Sequence, residues 1–369
     1  MDLSSRDLVD GLLRGGAYDR VGLYDHWWPE TTRLWVRDGY PVTAQDGAEP
    51  VPADPVVMFG YDMRPCGGWF DVNPHIGVNE VVEETAEWVV TRNGSGAALK
   101  FWKHKSGTPE HIDFRMTSRE VWERDYRPHL IEPDRRRVNT EAARVAIEAG
   151  RADGRWCFFG GIHVWETMRQ AMGDVCMYES LVLDPGWIHD YNRVYTDLNK
   201  WCYQVLFDEV GLPDGIWLYE DLGYRNGLLA SPRVLSELVF PYYAEMVAFF
   251  HDRGLPVVLH SCGGITQAVP LIVDAGFDAL NPMEVKAGCD LFALAERYGD
   301  RLAFCGGLDI RILETNDRAA VERGVRDIIE GMKRRGARFL FGSDHSISPR
   351  VRYDTYRFAL DVYRECMAY

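Results

Sequence analysis

The chain lacks the features that mark secreted, membrane-spanning and nucleic-acid-binding proteins. Residues 1–7 have neither the basic start nor the apolar run of a secretory signal, and no segment approaches the roughly 18 to 20 apolar residues that span a bilayer. Basic residues are in the minority, with 41 Lys and Arg against 56 Asp and Glu, so the net charge is −15. Nucleic acid and anionic membranes bind basic surfaces, and we expect neither as a partner. The sequence predicts a cytoplasmic protein.

Regular cysteine spacing and a dinucleotide fingerprint are also missing. The eight cysteines are scattered through the chain, which favours reduced thiols over a disulfide framework. No Gly-x-Gly-x-x-Gly motif follows an early strand, which disfavours a nucleotide-binding open sheet. No repeat, low-complexity tract or Pro/Ser-rich linker marks a boundary. We therefore predict one domain over residues 1–369, in which about 1–150 form an N-terminal elaboration that includes the first barrel strands.

Short apolar runs alternate with longer amphipathic segments from residue 156 onward. This alternation predicts six strands, at 156–161, 215–219, 256–260, 277–280, 302–305 and 338–341. Two earlier runs, at 21–24 and 56–59, raise the number of predicted strands to eight, which closes a parallel (β/α)₈ barrel of the TIM type. A doubly wound open sheet is the alternative.

Turn and cap signals define the other predicted elements. Ser231-Pro232 begins a helix that ends at Gly254 and should kink at Pro241, and a second helix runs over 317–335. Residues 87–103 alternate around an Asn-Gly-Ser-Gly turn, and 107–114 continue the pattern. The fold class is thus α/β, a barrel with an N-terminal helical and β-hairpin elaboration.

Polar residues follow each of the six later predicted strands. In a parallel barrel the catalytic groups come from the carboxyl ends of the strands, so these residues are expected around one axis. They are His163 and Glu166, Glu220 and Asp221, His260 and Cys262, Asn281 and Glu284, Cys305 and Asp309, and Asp344 and His345.

His260 and Cys262 are the most informative of these residues. Side chains two apart point to the same face of a strand, and imidazole and thiolate are zinc ligands. Glu284, one strand later, would be the third protein ligand of a catalytic zinc, unless it only pairs with a neighbouring cation such as Lys286. Ordinary core packing is the alternative for the first two residues. The last position is left open between Cys305, the pair Asp344 and His345, and water. His163 is either an acid/base or a structural histidine.

Several segments resemble the uroporphyrinogen decarboxylase superfamily. They are 260–264 (His-Ser-Cys-Gly-Gly), 276–284, 298–302 and 306–309, with 220–222 and 231–242 before them. The His-x-Cys element resembles that of the zinc-dependent methyltransferases that act with corrinoid proteins. The resemblance covers the C-terminal half well and the N-terminal third poorly. It implies a (β/α)₈ barrel with His260, Cys262 and Glu284 as zinc ligands.

The chain departs from that family pattern at its last strand. A further cysteine is expected there, and residues 341–345 contain none. One thiolate fewer gives a harder, more Lewis-acidic metal that suits oxygen-containing substrates. Cys305 or an acid near residue 344 would compensate.

The resemblance implies a zinc-dependent methyltransferase or demethylase. The methyl group would move between a small organic donor and a corrinoid (cobalamin) on a partner protein, while Asp221, Asp309 or His345 orients or protonates the leaving group. One alternative is a metal-free lyase acting on a tetrapyrrole or another carboxylate. Such decarboxylases carry an arginine motif near the N-terminus, of which Met63-Arg64-Pro65 is a faint echo. Another alternative is a non-catalytic barrel that binds a tetrapyrrole or corrinoid. The substrate and the oligomeric state stay open.

Overall fold

A computed structural model describes residues 3–43, 50–104 and 107–369. Its strands, in chain order, are β1 (Gly22–Leu23), β2 (Val42–Thr43), β3 (Val51–Pro52), β4 (Met63–Pro65), β5 (Asn79–Glu84), β6 (Trp88–Asn93), β7 (Ala98–Trp102), β8 (Glu110–Asp113), β9 (Trp156–Gly161), β10 (Gly215–Tyr219), β11 (Gly223–Tyr224), β12 (Gly227–Leu228), β13 (Val257–His260), β14 (Ala279–Asn281), β15 (Ala303–Cys305) and β16 (Phe339–Phe341).

Helices precede, separate and follow these strands. They are α1 (Ser5–Arg14), α2 (Pro29–Arg37), α3 (Pro55–Phe59), α4 (Arg119–Val121), α5 (Pro128–Ile131), α6 (Thr140–Ala152), α7 (Val164–Leu183), α8 (Pro185–Glu209), α9 (Pro232–Leu238), α10 (Phe240–His251), α11 (Val269–Asp274), α12 (Leu291–Tyr298), α13 (Ile310–Glu314), α14 (Arg318–Arg334) and α15 (Tyr353–Cys366). A π-helical turn (Trp122–Tyr126) and two 3₁₀ turns (Arg135–Arg137, Val285–Ala287) complete the set. No helix in the described ranges has the length and apolarity needed to cross a bilayer.

Eight parallel strands form the barrel in the order β1, β16, β15, β14, β13, β10, β9, β4. The predicted (β/α)₈ fold is confirmed, and the six later strands lie within two residues of their predicted limits. These strands are buried runs without polar alternation, as expected where helices cover a parallel sheet. Rings of Tyr24, Phe158 and Trp217 meet inside the barrel with centroids 5.1 to 5.8 Å apart.

The seam between β1 and β4 is closed by one buried carboxylate. The backbone N–H of Asp62 donates to the Leu23 carbonyl, and its side chain accepts from the Leu23 N–H, both at 2.8 Å. The same carboxylate forms an ion pair with Arg20 at 2.6 Å. A side chain thus stands in for ladder hydrogen bonds where the two end strands meet.

The predicted strand at 56–59 is wrong. These residues form α3, because the Asp54 side chain accepts from the Val56 N–H at 2.9 Å and Pro55 occupies the first helical position. Gly60, at φ 75°, ends the helix. The barrel strand begins only at Met63, on β4, and pairs with β9.

Other local predictions are confirmed. β6 and β7 pair as the predicted hairpin, and the Asn93 side chain accepts two N–H groups of its turn. With β5 and β8 they form a four-stranded antiparallel sheet. The helix beginning at Pro232 breaks at Val239, two residues before Pro241, into α9 and α10. Asp317 caps α14 through the Ala320 N–H.

Candidate metal centre

Three side chains with metal-ligating atoms converge where β10 and β13 end. The ligand atoms of Asp221, His260 and Cys262 all lie within 4.8 Å of one another. His260 Nε2 is 3.4 Å from Cys262 Sγ and 3.7 Å from Asp221 Oδ1. Ligands about 2.0 to 2.3 Å from a tetrahedral zinc are separated by about 3.5 Å. The donor set and its spacing therefore fit one zinc ion.

Strand pairing and tight loops bring the three residues together. Tyr219 pairs with His260 across β10 and β13, so Asp221 and Cys262 follow at matched positions. The Cys262 N–H donates to Asp221 Oδ1 at 2.8 Å. Gly263, at φ 85°, allows the close approach, since a β-carbon there would lie 2.3 Å from the Gly223 backbone.

Asn281 fixes the ring of His260. The Asn281 Nδ2 donates to the Cys305 carbonyl at 2.8 Å, which turns Oδ1 towards His260 Nδ1 at 2.5 Å. The amide oxygen can only accept, so Nδ1 carries a proton, and in the neutral ring this leaves the lone pair on Nε2. This is the tautomer that binds a metal through Nε2.

The charges around the thiol favour a cation. Burial, together with the carboxylates of Asp221 and Glu284, raises the pKa of Cys262 well above its ordinary value. A thiolate is therefore unfavourable in the protein alone. A divalent cation among these groups would reverse that preference.

Glu284 and Cys305, predicted as ligands, lie beside this group but outside it. Glu284 Oε2 accepts from the Gly263 N–H at 2.7 Å, and Oε1 pairs with Lys286 Nζ at 3.2 Å. Cys305 is buried at the end of β15, where burial raises the pKa of its thiol. Their ligand roles stay predictions.

The carboxylates that follow β15 and β16 are engaged by the backbone. Asp309 caps α13 through the Arg311 N–H and pairs with the Arg311 guanidinium at 2.6 Å. Asp344 accepts from the N–H groups of Val285 and Ile310, both at 2.8 Å. His345 lies nearby, with its ring 6.3 Å from that of Trp28.

His163 and Glu220 lie deeper in the fold. His163 is fully buried, and burial lowers its pKa to about 3, so the ring is uncharged. Glu220 accepts from the N–H groups of His163 and Trp165 at the start of α7 and from the Tyr243 hydroxyl. Burial raises the pKa of Glu220 to about 8. The hydrogen bonds of the Glu220 side chain link the start of α7 to the end of β10.

Two rings near the ligand group were not predicted as site residues. The centroid of Tyr219 lies 5.1 Å from that of His260, and His26 lies 5.9 Å from it on another side. Burial, with the neighbouring His260 and His345, lowers the pKa of His26 to about 3. His26 follows the first predicted strand, so the strand-end argument applied to the later strands would have found it.

A cavity of about 1180 Å³ opens beside Asp221. Its walls include Leu99, Phe114 and Met172, and Glu166 lines it together with Asp221. A volume of this order matches the pockets that hold drug-sized organic molecules. The ligand group is thus bordered by space for a substantial substrate.

Comparison with known proteins supports the resemblance. The sequence model of the uroporphyrinogen decarboxylase (URO-D) family matches residues 218–366, which contain Asp221, His260 and Cys262. The comparison with curated proteins found no match. The predicted resemblance to this superfamily is therefore confirmed over the C-terminal part of the chain.

Solved structures extend the similarity to the whole fold. A methyltransferase from Methanosarcina mazei aligns over 99% of this chain and 99% of its own, with a TM-score of 0.64 and 14% identity. A 3-keto-D-glucoside 4-epimerase from E. coli aligns over 62% of this chain and 85% of its own, with a TM-score of 0.36 and 13% identity. At such identities the first similarity shows a shared fold, and the second is too distant to bear on the site.

Proposed function

We propose that this chain, whose residues 218–366 match the uroporphyrinogen decarboxylase family, is a zinc-dependent methyltransferase. It would move a methyl group between an organic donor and a corrinoid carried by a partner protein. The convergence of Asp221, His260 and Cys262 at the barrel mouth is the observation that carries this proposal. The methyltransferase fold that aligns over 99% of the chain supports it.

In this proposal Asp221, His260 and Cys262 hold the metal. Zinc bound there would polarise the heteroatom that loses its methyl group. Asn281 keeps the His260 ring in the ligating tautomer. His345 is our candidate for the group that protonates the leaving heteroatom.

Glu284, Cys305, Asp344, His345 and water are the candidates for the fourth ligand. Asp309 is tied to Arg311, so we assign it no more than the orientation of groups at the mouth.

The arginine motif of metal-free decarboxylases has no free counterpart at the predicted position. Arg64 lies on β4, and its guanidinium pairs with Asp54 at 2.7 Å and with Asp153 at 3.1 Å. Its side chain is only 13% exposed. With this arginine engaged by two aspartates, methyl transfer is favoured over the lyase alternative.

Metal analysis tests the centre directly. We expect about one zinc per chain in the purified wild type, as for a catalytic zinc site, and little in Asp221→Ala and Cys262→Ser. Cys289→Ser is the matched control, because Cys289 is a nearby buried cysteine outside the ligand group. Absence of metal from the wild type, or equal loss in the control, would contradict the proposal.

Activity is then measured as methylation of cob(I)alamin. The zinc-loaded protein is offered methoxy, methylamino and methylthio donors, and Cys262→Ser is assayed beside it. We expect transfer from at least one donor class, with loss in the variant. No transfer from any donor would rule out the function, and activity that survives metal removal would favour the lyase alternative.

A further inference from the structure

Trp69 is exposed at the barrel mouth. All twelve tryptophans of the chain lie in the described ranges, and Trp69 is the only exposed one among them, at 59%. Large aromatic rings normally bury most of their surface, and the place of this ring beside the candidate metal centre makes it a candidate ligand contact.

The loop that carries Trp69 is closely fitted to the barrel. Gly67 and Gly68 follow β4 with φ values of 132° and 96°. The Gly67 carbonyl accepts from the Gly160 N–H at 2.8 Å, and a β-carbon at Gly68 would lie 2.4 Å from the Gly160 oxygen. Only glycine fits at residue 68. The backbone that leads into Trp69 therefore rests on the end of β9.

The Trp69 ring reaches across β9 to Tyr219. Their centroids are 5.0 Å apart with 39° between the planes. Gly160 lies beneath the pair, and a β-carbon there would touch both rings at 3.4 and 3.5 Å. A longer side chain at this position would come between them. Gly160, near the end of the predicted strand 156–161, thus has a role in the mouth.

The two rings lead to the candidate metal centre. Tyr219 lies 5.1 Å from the His260 ring at 42°, so Trp69, Tyr219 and His260 form a continuous series from solvent to the ligand group. Tyr219 is the last residue of β10, two before Asp221. A molecule that contacts both Trp69 and Tyr219 would therefore lie next to the ligand group.

We propose that Trp69 and Tyr219 form an aromatic platform that binds the planar body of the methyl donor beside Asp221, His260 and Cys262. This inference rests on the proposed function and specifies its substrate class, namely donors whose methyl-bearing heteroatom is attached to a flat π system. An offset face-to-face or edge contact with such a ring adds affinity beyond apolar contact alone. A saturated ring of the same size lacks that contribution.

The test compares a planar probe with a saturated probe by isothermal titration calorimetry. The probes are methoxybenzene and methoxycyclohexane, titrated into wild type, Trp69→Ala, Trp69→Phe and Phe101→Ala. Phe101 is the control, because it is 40% exposed on β7 and is not part of the platform. We expect the wild type to bind the planar probe about tenfold more tightly than the saturated one.

The variants decide the assignment. Trp69→Ala should lose most of the tenfold preference, whereas Trp69→Phe and Phe101→Ala should keep it. Equal binding of the two probes to the wild type, or an unchanged preference in Trp69→Ala, would overturn the inference. Equal loss in Phe101→Ala would also overturn it.

The same titrations on Cys262→Ser separate this inference from the proposed function. A planar preference that depends on Trp69 and persists without methyl transfer would leave the platform standing while the methyltransferase proposal fails. Methyl transfer that is insensitive to Trp69→Ala, together with no planar preference, would remove the platform alone.

Discussion

The two sides of the barrel mouth carry similar residues and use them differently. Beside β10 and β13, Asp221, His260 and Cys262 face one another with ligand atoms within 4.8 Å. Beside β15 and β16, both oxygens of Asp344 accept backbone N–H groups, and Asp309 caps a helix. Asp344 therefore serves as an anchor, because both of its oxygens are taken by backbone N–H groups. Asp221 accepts one backbone N–H, that of Cys262, and keeps capacity to bind a ligand.

Removing the Asp344 carboxylate should have the largest effect on stability. In Asp344→Ala the partly buried N–H group of Val285 and the buried N–H group of Ile310 lose their acceptor, and each such loss costs on the order of 1 to 3 kcal/mol. We expect the free energy of unfolding, measured in urea, to fall by about 4 kcal/mol. Asp309→Ala removes a helix cap and a solvent-exposed ion pair with Arg311, and it should cost about 1 to 2 kcal/mol. A smaller effect in Asp344→Ala than in Asp309→Ala would show that Asp344 is not an anchor.

His260→Ala should weaken zinc binding more than it lowers the stability of the protein. We expect zinc affinity to fall at least about 100-fold, equivalent to about 2.8 kcal/mol, since a ligand is lost rather than one of its supporting groups. The substitution should change the free energy of unfolding of the metal-free protein by less than it changes the free energy of zinc binding. Competition with a chelator measures the first quantity and urea unfolding the second. Unaltered zinc binding in His260→Ala would show that the residues beside β10 and β13 are structural as well.

The pH dependence of stability should reveal Glu220 as an anchor. Burial raises its pKa from 4.5 to about 8 in the folded chain, so between these values the folded chain holds a proton that the unfolded chain has released. Its contribution to stability should fall as pH rises through this window, by up to about 1.4 kcal/mol per unit. Unfolding of wild type and Glu220→Gln at pH 5.5, 6.5 and 7.5 measures the difference. A difference that does not change with pH would show that Glu220 is ionised throughout.

Asn281 contacts both His260 and Cys305, and its replacement should have the smallest effect of the four. It orients His260 and is held by the Cys305 carbonyl. Loss of a group that supports a metal-bound histidine costs about 10 to 100-fold in affinity, and we expect about tenfold weaker zinc binding in Asn281→Ala. Asn281→Asp keeps an acceptor for Nδ1 and should retain most of the affinity. Equal losses in the two variants would show that the hydrogen bond to His260 does not matter.

The barrel could be predicted from the sequence because its strands are buried on both faces. Runs such as 156–161 and 257–260 stand out against the amphipathic helices between them. The prediction of a strand at 56–59 was wrong because an apolar run of that length suits either a strand or a buried helix. The Asp54 cap and Pro55 decide for the helix.

The centre could be predicted only in part. The spacing of His260 and Cys262 located it, because two residues on one strand end share a face. The neighbouring carboxylate could not be chosen from sequence, since both Asp221 and Glu284 follow adjacent strands. The choice depends on how many oxygens are already bound. Both oxygens of Glu284 are engaged, by the Gly263 N–H and by Lys286, whereas Asp221 accepts one backbone N–H, that of Cys262. The contact between Trp69 and Tyr219 depends on Gly68 and Gly160. No local sequence pattern indicates the role of these two glycines.

The pairing of β1 has a consequence for biosynthesis. Gly22 and Leu23 form ladder hydrogen bonds only with Leu340 and Phe341 in the barrel sheet of the described residues. The ribosome adds about 5 to 20 residues per second, so β1 waits roughly 15 to 60 seconds for its partner strand to be made. Until then the contacts available to hold it near β4 are those of Asp62 and of α1, which packs on both strands. The first strand of the barrel to be synthesised is thus among the last to find its place in the sheet.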